Sequence, residues 1–179
     1  MAYRELLIGC GSNKKKKIHS NSSDKWVNLT TLDINPDHKP DVIWDLEQFP
    51  YPFASDTFDE IHAYEVLEHT GQQGDYKFYF KQFSELARIL KDGGLLFGSV
   101  PKPDSVWAWG DPSHKRVLPP ESFVFLDQKT YEQVGKTNLS DFRYIWKDSF
   151  EIQFADYSEH CFFFILKVTK HAIHGQRTS

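Results

Sequence analysis

The sequence contains few cysteines, no long apolar run and no strong excess of either charge. Its two cysteines, Cys10 and Cys161, form no CxxC pair, which argues against a disulfide framework and a cysteine zinc site. The longest apolar run, residues 161–166, is far below the ~20 residues that span a bilayer. The first ten residues turn polar too soon for a signal peptide. These absences predict a soluble, cytoplasmic protein with no membrane partner.

The 179 residues include 21 Lys and Arg against 25 Asp and Glu, which gives a net charge of −4. This balance does not favour a surface built mainly to hold nucleic acid, although a local basic patch is compatible with it. Hydrophobic residues make up 40% of the chain and aromatic residues 16%, enough for one buried core. We predict a single domain over residues 1–170, followed by a polar tail at 171–179.

Strand-like and helix-like patterns alternate in the first half of the chain. Short apolar and β-branched runs predict strands, at residues 5–8, 26–34, 41–44, 57–64 and 95–100. Before the last of them, apolar residues recur at helical spacing over residues 76–90, and Gly93-Gly94 then provide a typical helix end. Such alternation is typical of a Rossmann-like, doubly wound α/β fold with a mainly parallel sheet.

The second half of the chain follows a different pattern. Residues 101–120 are expected to form a long loop rich in Trp, Asp and Pro, and residues 130–136 a short helix. Residues 142–154 and 161–169 predict two strands joined near 156–159. These strands would form an antiparallel C-terminal hairpin at the edge of the sheet.

Four strand ends carry candidates for a ligand site, because ligands of open α/β sheets bind beyond the carboxyl ends of the strands. Two glycines follow the first strand, where they let the backbone turn and approach a ligand. An acidic residue about 20 positions further on is placed to bind ribose hydroxyls. The third strand end offers a carboxylate to an adenine, and the fourth opens toward a reacting centre. The candidate binding residues are Gly9, Cys10, Gly11, Asp33, Ile34, Asp45, Leu46, Tyr64 and Glu65.

The glycine turn lacks the features of a phosphate-binding loop. A dinucleotide fingerprint needs a third glycine where this chain has Lys14, and no G-x-x-x-x-G-K-[ST] sequence occurs. The helix expected after the first strand is replaced by the polar segment SNKKKKIHSNSSDK. A cofactor with an adenine and a ribose but no phosphate therefore suits these residues better.

Five stretches between residues 5 and 101 follow one another in a recognisable order. They read ELLIGCGSN, TLDINP, DVIWDLEQFPYPF, FDEIHAYEVLEH and FSELARILKDGGLLFGSVP. Together they resemble the class I S-adenosylmethionine-dependent methyltransferases. The resemblance implies that Gly9 and Gly11 line the methionine part of the cofactor, that Asp33 holds the ribose, and that Asp45 and Leu46 frame the adenine.

The chain departs from that family near its first strand. The family often has an acidic residue two positions before the first glycine, where this chain has Leu7. Backbone carbonyls or Glu65 would then meet the ammonium group of the cofactor. The lysines at 14–17 form a solvated loop or, alternatively, meet a phosphorylated substrate near the cofactor.

His69 and His114 are the candidate catalytic residues. Methyl transfer from a sulfonium depends mostly on proximity and in-line geometry, and it needs a base only where the nucleophile carries a proton. Either imidazole could be that base. Alternatively, His69 packs in or caps its helix, and His114 lies on the surface of its loop.

The pattern ExxEH allows a metal site as a second interpretation. On a helix, Glu65, Glu68 and His69 would share one face and, with His114, would provide oxygen and nitrogen ligands. Some methyltransferases that act on RNA 3′ ends or on quinone precursors have a similar ExxEH and use a divalent ion, but the pattern is also common in relatives that bind no metal. We expect S-adenosylmethionine as the cofactor and no metal.

The predicted function is methyl transfer from S-adenosylmethionine to a small molecule or a sugar. Trp107, Trp109, Asp111 and Arg116 would form a substrate pocket or lid, or the aromatic residues only close the core. A nucleic-acid methyltransferase is one alternative, against which residues 64–67 lack the N/D-P-P-Y/F/W tetrapeptide. A non-catalytic cofactor-binding subunit is another, because the chain reaches its first strand without a lid helix. The oligomeric state stays open.

Overall fold

A computed structural model describes residues 2–18 and 24–170, so the predicted tail at 171–179 lies outside the described residues. Its strands are β1 Glu5–Ile8, β2 Leu29–Asp33, β3 Val42–Ile43, β4 Phe58–Tyr64, β5 Leu90–Pro101, β6 Ser149–Tyr157 and β7 Cys161–Thr169. They form one sheet in the order β3-β2-β1-β4-β5-β7-β6. The first five strands are parallel, whereas β7 is antiparallel to both β5 and β6. The predicted Rossmann-like, mainly parallel sheet with an antiparallel C-terminal hairpin is thereby confirmed.

Helices are short except for one. The α-helices are α1 Tyr76–Ile89, α2 Val106–Gly110 and α3 Pro120–Phe123, and the 3-10 turns are Pro36–His38, Leu67–His69, Val124–Leu126 and Gln128–Gln133. The predicted loop at 101–120 therefore contains α2, and the predicted helix at 130–136 is a 3-10 turn that begins earlier. Over residues 2–18 and 24–170, no helix is long and apolar enough to span a bilayer.

Two predicted strands begin later than expected. The second starts at Leu29 rather than at residue 26, because Trp26 belongs to the preceding loop, where its indole nitrogen donates to the Lys14 carbonyl. The sixth starts at Ser149 rather than at residue 142. Its expected first half is a turn that buries Trp146 completely, with the indole nitrogen bonded to the Leu126 carbonyl. In these two segments the apolar residues are buried, but their backbone is not extended.

Helix α1 packs its apolar face on the sheet. Asp75 caps it by accepting a hydrogen bond from the Phe78 nitrogen, and Phe83 on the apolar face is fully buried. The helix ends at Ile89 and passes directly into β5, so the prediction that Gly93-Gly94 end it was wrong. The glycines lie within β5, where a Cβ on Gly94 would come within 2.9 Å of the Lys91 carbonyl oxygen.

The face of the sheet opposite α1, called the second face below, is covered in part by the lysine-rich segment at residues 14–17. Within this segment the side chain of Lys16 is buried, with only 7% exposed. Its ammonium pairs with the buried carboxylates of Glu5 and Glu60. Both ring nitrogens of His62 make hydrogen bonds: Nε2 lies 3.0 Å from Glu60 Oε2, and Nδ1 lies 2.7 Å from the Tyr64 hydroxyl. The prediction that the lysines form a solvated loop was therefore wrong for Lys16, because two strands present carboxylates to it.

Candidate functional site

A cavity of about 440 Å³ opens at the carboxyl ends of β1, β2 and β4. It is lined by most of the predicted binding residues, namely Gly9, Gly11, Asp33, Ile34, Asp45, Leu46 and Glu65, and by the catalytic candidate His69. Other lining residues were not predicted from the sequence: Leu32, His38, Trp44, Glu47, Val66, Thr70 and Lys115. The parallel strands therefore bring the predicted strand ends to one site, and distant loops complete its wall.

The two glycines in the turn after β1 have different roles. Gly9 and Gly11 have φ angles of +58° and +54°, in the region that glycine adopts without strain. A Cβ on Gly9 would lie 2.2 Å from Val66 Cγ2, whereas a Cβ on Gly11 would meet no heavy atom of the described residues within 4 Å. Gly9 is thus required for packing, and Gly11 leaves the backbone open to the cavity.

Cys10 and Tyr64, also predicted to bind the ligand, are not among the residues that line the cavity. Both side chains are buried in a small cluster on the second face of the sheet, with Leu7 and Phe97. The Tyr64 hydroxyl donates a hydrogen bond to the Ile18 carbonyl. Burial raises the pKa of the Cys10 thiol and raises the pKa of Tyr64 to about 12, so both groups are neutral near pH 7.

The carboxylate of Asp33 is held in place from both sides. Its Oδ2 accepts a hydrogen bond of 2.8 Å from the Gly11 nitrogen, and its Oδ1 accepts one of 2.8 Å from the Asn35 nitrogen. Asn35 also caps the 3-10 turn after β2 by accepting from the Asp37 nitrogen. The turn brings His38 into the cavity wall, where its Nδ1 lies 3.2 Å from Asp33 Oδ1.

An ion pair joins two loops at the rim of the cavity. Glu47 Oε1 lies 2.7 Å from Lys115 Nζ and accepts a hydrogen bond of 2.8 Å from the Gly71 nitrogen. These bonds lower the pKa of the Glu47 carboxyl against the effect of its burial. The pair links the loop after β3 to the loop before α3, so the rim depends on a contact between residues far apart in sequence.

Glu65 lies where β4 ends, in the part of the cavity at which the reaction is expected, and its backbone is strained. Its φ is +51°, which non-glycine residues seldom adopt, and its nitrogen donates to the Ser99 carbonyl. The carboxylate oxygen Oε1 is buried and has no hydrogen-bond partner among the described residues. The left-handed backbone directs the chain away from β4, so Glu65, Glu68 and His69 do not form the single helix face considered from the sequence.

Glu68, His69 and His114 nevertheless come together. Their ligand atoms all lie within 4.8 Å of one another, and the two imidazole rings meet edge to face with centroids 4.6 Å apart. His114 Nε2 lies 4.0 Å from Glu68 Oε1 and 3.8 Å from Asp111 Oδ2. The two catalytic candidates are thus neighbours, although His69 lines the cavity and His114 lies behind it.

Burial controls the protonation of this group. It raises the pKa of Glu68 to about 8, and the negative charge of Glu65 adds to this shift. Burial also lowers the pKa of His69, and the neighbouring His114 lowers it further. His69 is therefore neutral at pH 7 and can accept a proton.

The four residues considered for a substrate pocket separate into two kinds. Trp107 and Trp109 are 56% and 73% exposed on α2, and Asp111 follows them with its carboxylate bonded to Ser113. Arg116 is buried, and its guanidinium donates to the Leu67 carbonyl and to the side chains of Thr70 and Gln82. The tryptophans are available to a ligand, whereas Arg116 holds the turn Leu67–His69 in place.

A family model described as a methyltransferase domain matches residues 6–98, slightly more than half of the chain. No curated protein sequence matches the chain significantly.

Solved structures share the fold at low sequence identity. A SAM-dependent methyltransferase from Archaeoglobus fulgidus superposes with a TM-score of 0.57 at 17% identity, over 93% of this chain and 86% of that one. The N-methyltransferase NodS from Bradyrhizobium japonicum, in complex with S-adenosyl-L-homocysteine, gives 0.51 at 14% identity, over 93% and 78%. A chain from the complex of the Haloferax volcanii Trm112 methyltransferase activator with a methyltransferase gives 0.56 at 12% identity, over 95% and 84%.

Proposed function

We propose that this chain, which belongs to the methyltransferase domain family, binds S-adenosylmethionine in the 440 Å³ cavity and transfers its methyl group to a small molecule or a sugar. The observation that carries the proposal is the Asp33 carboxylate, fixed by the backbone nitrogens of Gly11 and Asn35 at the end of β2. Both oxygens keep a lone pair for ribose hydroxyls, because each accepts one backbone hydrogen bond.

The rest of the cavity suits the remaining parts of the cofactor. The open backbone at Gly11 leaves room for the methionine part, and the buried Glu65 Oε1 is suited to the ammonium that Leu7 cannot meet. Leu46, 6% exposed, offers an apolar surface to an adenine beside the Asp45 carboxylate. A cavity of this volume is in the usual range for a ligand of that size.

The two histidines are proposed to act at the reacting end. The cofactor, when bound, supplies a methyl group on a positively charged sulfur. His69 borders the same cavity and is neutral, so it can take the proton of an acceptor hydroxyl or amine. His114 packs edge to face against His69 and fixes the orientation of that ring.

The proposed acceptor is of modest size, and the exposed tryptophans of α2 are its candidate binding surface, although they do not line the cavity. The exposed Trp107 and Trp109 offer two faces on which a ring could pack, while the chain carries a net charge of −4. A nucleic acid would require an extended basic surface, and its binding would weaken steeply with salt. One structural relative was solved with a methyltransferase activator, which favours a partner protein for this chain as an alternative but not a non-catalytic role.

Calorimetry with S-adenosylhomocysteine tests the binding part of the proposal. Asp33→Ala should weaken binding by roughly 10- to 100-fold, the loss expected when hydrogen bonds to a charged group are removed. Asp37→Ala, which removes an exposed carboxylate four residues away, should leave binding unchanged. Unaltered binding in Asp33→Ala would refute the assigned site.

Transfer of labelled methyl groups tests the acceptor. Small-molecule extracts, RNA and protein fractions are each incubated with the protein and labelled S-adenosylmethionine. Label should appear in the small-molecule fraction. Label in RNA, with salt-sensitive binding, would favour the nucleic-acid alternative, and tight cofactor binding with no labelled fraction would favour the non-catalytic subunit.

A further inference from the structure

A second cavity, of about 280 Å³, lies beside the first turn of α1 and is called the aromatic cavity below. Five aromatic side chains line it, namely Tyr76, Tyr79, Phe80, Phe125 and Phe142. Its lining residues are all different from those of the 440 Å³ cavity. A ligand of the aromatic cavity would therefore occupy a site of its own.

The aromatic rings of this wall support one another. The Phe142 ring lies 4.9 Å from the Phe80 ring and 5.6 Å from the Tyr76 ring, measured between centroids. It also meets the Phe125 ring edge to face at 5.6 Å. Phe80 is buried, whereas Tyr76 is 40% exposed, so the wall extends from the interior to the surface. An apolar wall that is already formed gains dispersion contacts with an entering ring and needs little ordering on binding.

Arg116 adds one buried positive charge to this apolar wall. The residue is only 6% exposed. Its Nε donates to the Leu67 carbonyl and its Nη2 to the side chains of Thr70 and Gln82, whereas Nη1 takes part in none of these bonds. Burial lowers the pKa of Arg116 to about 10, so the guanidinium is still charged at pH 7.

This buried cation lacks the counter-charge that a more exposed arginine has. Arg88 pairs with the Glu85 carboxylate at 2.8 Å. Arg116 has no carboxylate in ion-pair contact among the described residues; instead, the rings of Phe78 and Tyr79 lie 5.5 and 5.9 Å from its guanidinium carbon. Such cation–π contacts reduce the cost of a buried charge but do not neutralise it. Because buried charges in proteins are normally paired, an anionic group is the complement that this cavity lacks.

Asp75 determines how an anionic ligand would be oriented. Its carboxylate caps α1 by accepting from the Phe78 nitrogen, and the residue lines the same cavity. Asp75 is exposed and Arg116 is buried, so the negative charge of the wall lies toward the solvent and the positive charge toward the interior. An acid group is repelled by the first charge and attracted by the second. The acid group of the ligand should therefore point inward and its ring outward, toward Tyr76.

We propose that the aromatic cavity binds a small molecule made of one aromatic ring and a carboxylate, with the carboxylate on Arg116 and the ring between Tyr76 and Phe142. The volume of 280 Å³ is near the lower end of the range for ligand cavities, which suits one ring with a short substituent. An apolar cavity with one well-placed charged group is the usual composition of such a site. The site goes beyond the proposed methyl transfer and is measurable without cofactor or methyl acceptor.

Calorimetry of the full-length chain with benzoate and with benzamide tests the role of the charge. Benzoate should bind with a dissociation constant on the order of 1 mM or lower, and benzamide, which has the same shape but no charge, about 10-fold more weakly. Arg116→Gln keeps a donor for the turn Leu67–His69 but removes the charge. It should weaken benzoate by roughly 10- to 100-fold and benzamide much less. Equal affinity of the two probes for the wild type, or an equal loss of both in Arg116→Gln, would overturn the proposal.

A second variant tests the place of binding without changing the buried arginine. Tyr76→Ala removes one ring from the wall and should weaken both probes by about 3- to 10-fold, the effect of one aromatic contact. Tyr157→Ala, which removes a tyrosine on β6 that is 53% exposed, is the matched control and should bind both probes as the wild type does. Circular dichroism of both variants should match the wild type. Equal benzoate affinity in Tyr76→Ala and Tyr157→Ala would rule out the aromatic cavity.

Competition with S-adenosylhomocysteine separates the two cavities. Benzoate should bind equally well in the presence of saturating S-adenosylhomocysteine, because the two cavities are lined by different residues. Displacement of benzoate would place it in the 440 Å³ cavity and contradict the proposal. The benzoate titrations of the protein alone do not depend on cofactor binding, so a failure of the cofactor proposal at Asp33 would leave them unaffected.

Discussion

The backbone nitrogen of Gly11 donates a hydrogen bond of 2.8 Å to Asp33 Oδ2, which joins the turn after β1 to the end of β2. The two strands are parallel neighbours, so the bond connects the two predicted halves of the cofactor site across the sheet. Because it fixes the carboxylate before any ligand arrives, binding does not have to order Asp33. Substitutions on either side of this bond should therefore separate stability from cofactor affinity.

Alanine substitutions at Gly9 and Gly11 should have different effects. Each forces a Cβ into a left-handed conformation, at a cost of about 1–2 kcal/mol. Gly9→Ala also collides with Val66 and should lose a further 1–3 kcal/mol or so of unfolding free energy. Gly11→Ala should lose only the about 1–2 kcal/mol of the conformational cost, because its Cβ meets no neighbour, but it should lose affinity for S-adenosylhomocysteine. Urea unfolding and calorimetry on both variants measure this; equal stability losses would contradict the assignment of Gly9 to packing.

His38→Ala should weaken binding of the cofactor without unfolding the protein. The imidazole lies 3.2 Å from Asp33 Oδ1 in the cavity wall, so its loss removes one constraint on the carboxylate. We expect binding of S-adenosylhomocysteine to fall by no more than about 5-fold, because His38 Nδ1 lies beside the carboxylate without a hydrogen bond to it, and a partly exposed contact of this kind contributes at most about 1 kcal/mol. Calorimetry measures the change, and Asp37→Ala on the same turn is the control. Unchanged affinity in His38→Ala would mean that Asn35 and Gly11 suffice.

The sequence predicts this site well where local patterns decide the structure. Strand β1 and helix α1 follow from short-range periodicity, and the rule that ligands bind beyond strand ends brings Gly11 and Asp33 together. Lys115 could not be found in this way, because its partner Glu47 is 68 positions away and no local pattern records the contact. Lys16 resembles a surface lysine in sequence; only the carboxylates of two neighbouring strands make its burial favourable.

The pair Glu47 and Lys115 should act on cofactor release more than on stability. The ion pair is partly exposed, and such pairs contribute about 0.2–1 kcal/mol. It joins the two loops at the rim, so Lys115→Met should speed dissociation of S-adenosylhomocysteine while the melting temperature changes little. Stopped-flow kinetics on both single variants and the double variant test this. Additive effects in that cycle would show that the pair does not couple the loops.

His62 should make the protein less stable as the pH falls below about 6.5. Burial lowers the pKa of His62 in the folded state, against about 6.5 in the unfolded chain. The unfolded chain therefore binds the proton first as the pH falls, and stability is full above 6.5 and declines below it. The decline due to this one group approaches ~1.4 kcal/mol per pH unit as an upper limit.

Urea unfolding of the wild type and of His62→Gln over this pH range isolates the contribution, since the other titrating groups are common to both proteins. Glutamine keeps a polar group toward Glu60 and Tyr64 but does not titrate, so the pH profile of the variant should be flatter. Phe97→Leu is the matched control, because Phe97 stacks on the imidazole at 4.6 Å and its loss costs packing while the titrating group remains. Its profile should run parallel to that of the wild type. A profile of His62→Gln as steep as that of Phe97→Leu would mean that the buried imidazole stays accessible to protons, and that the network around Lys16 opens before the protein unfolds.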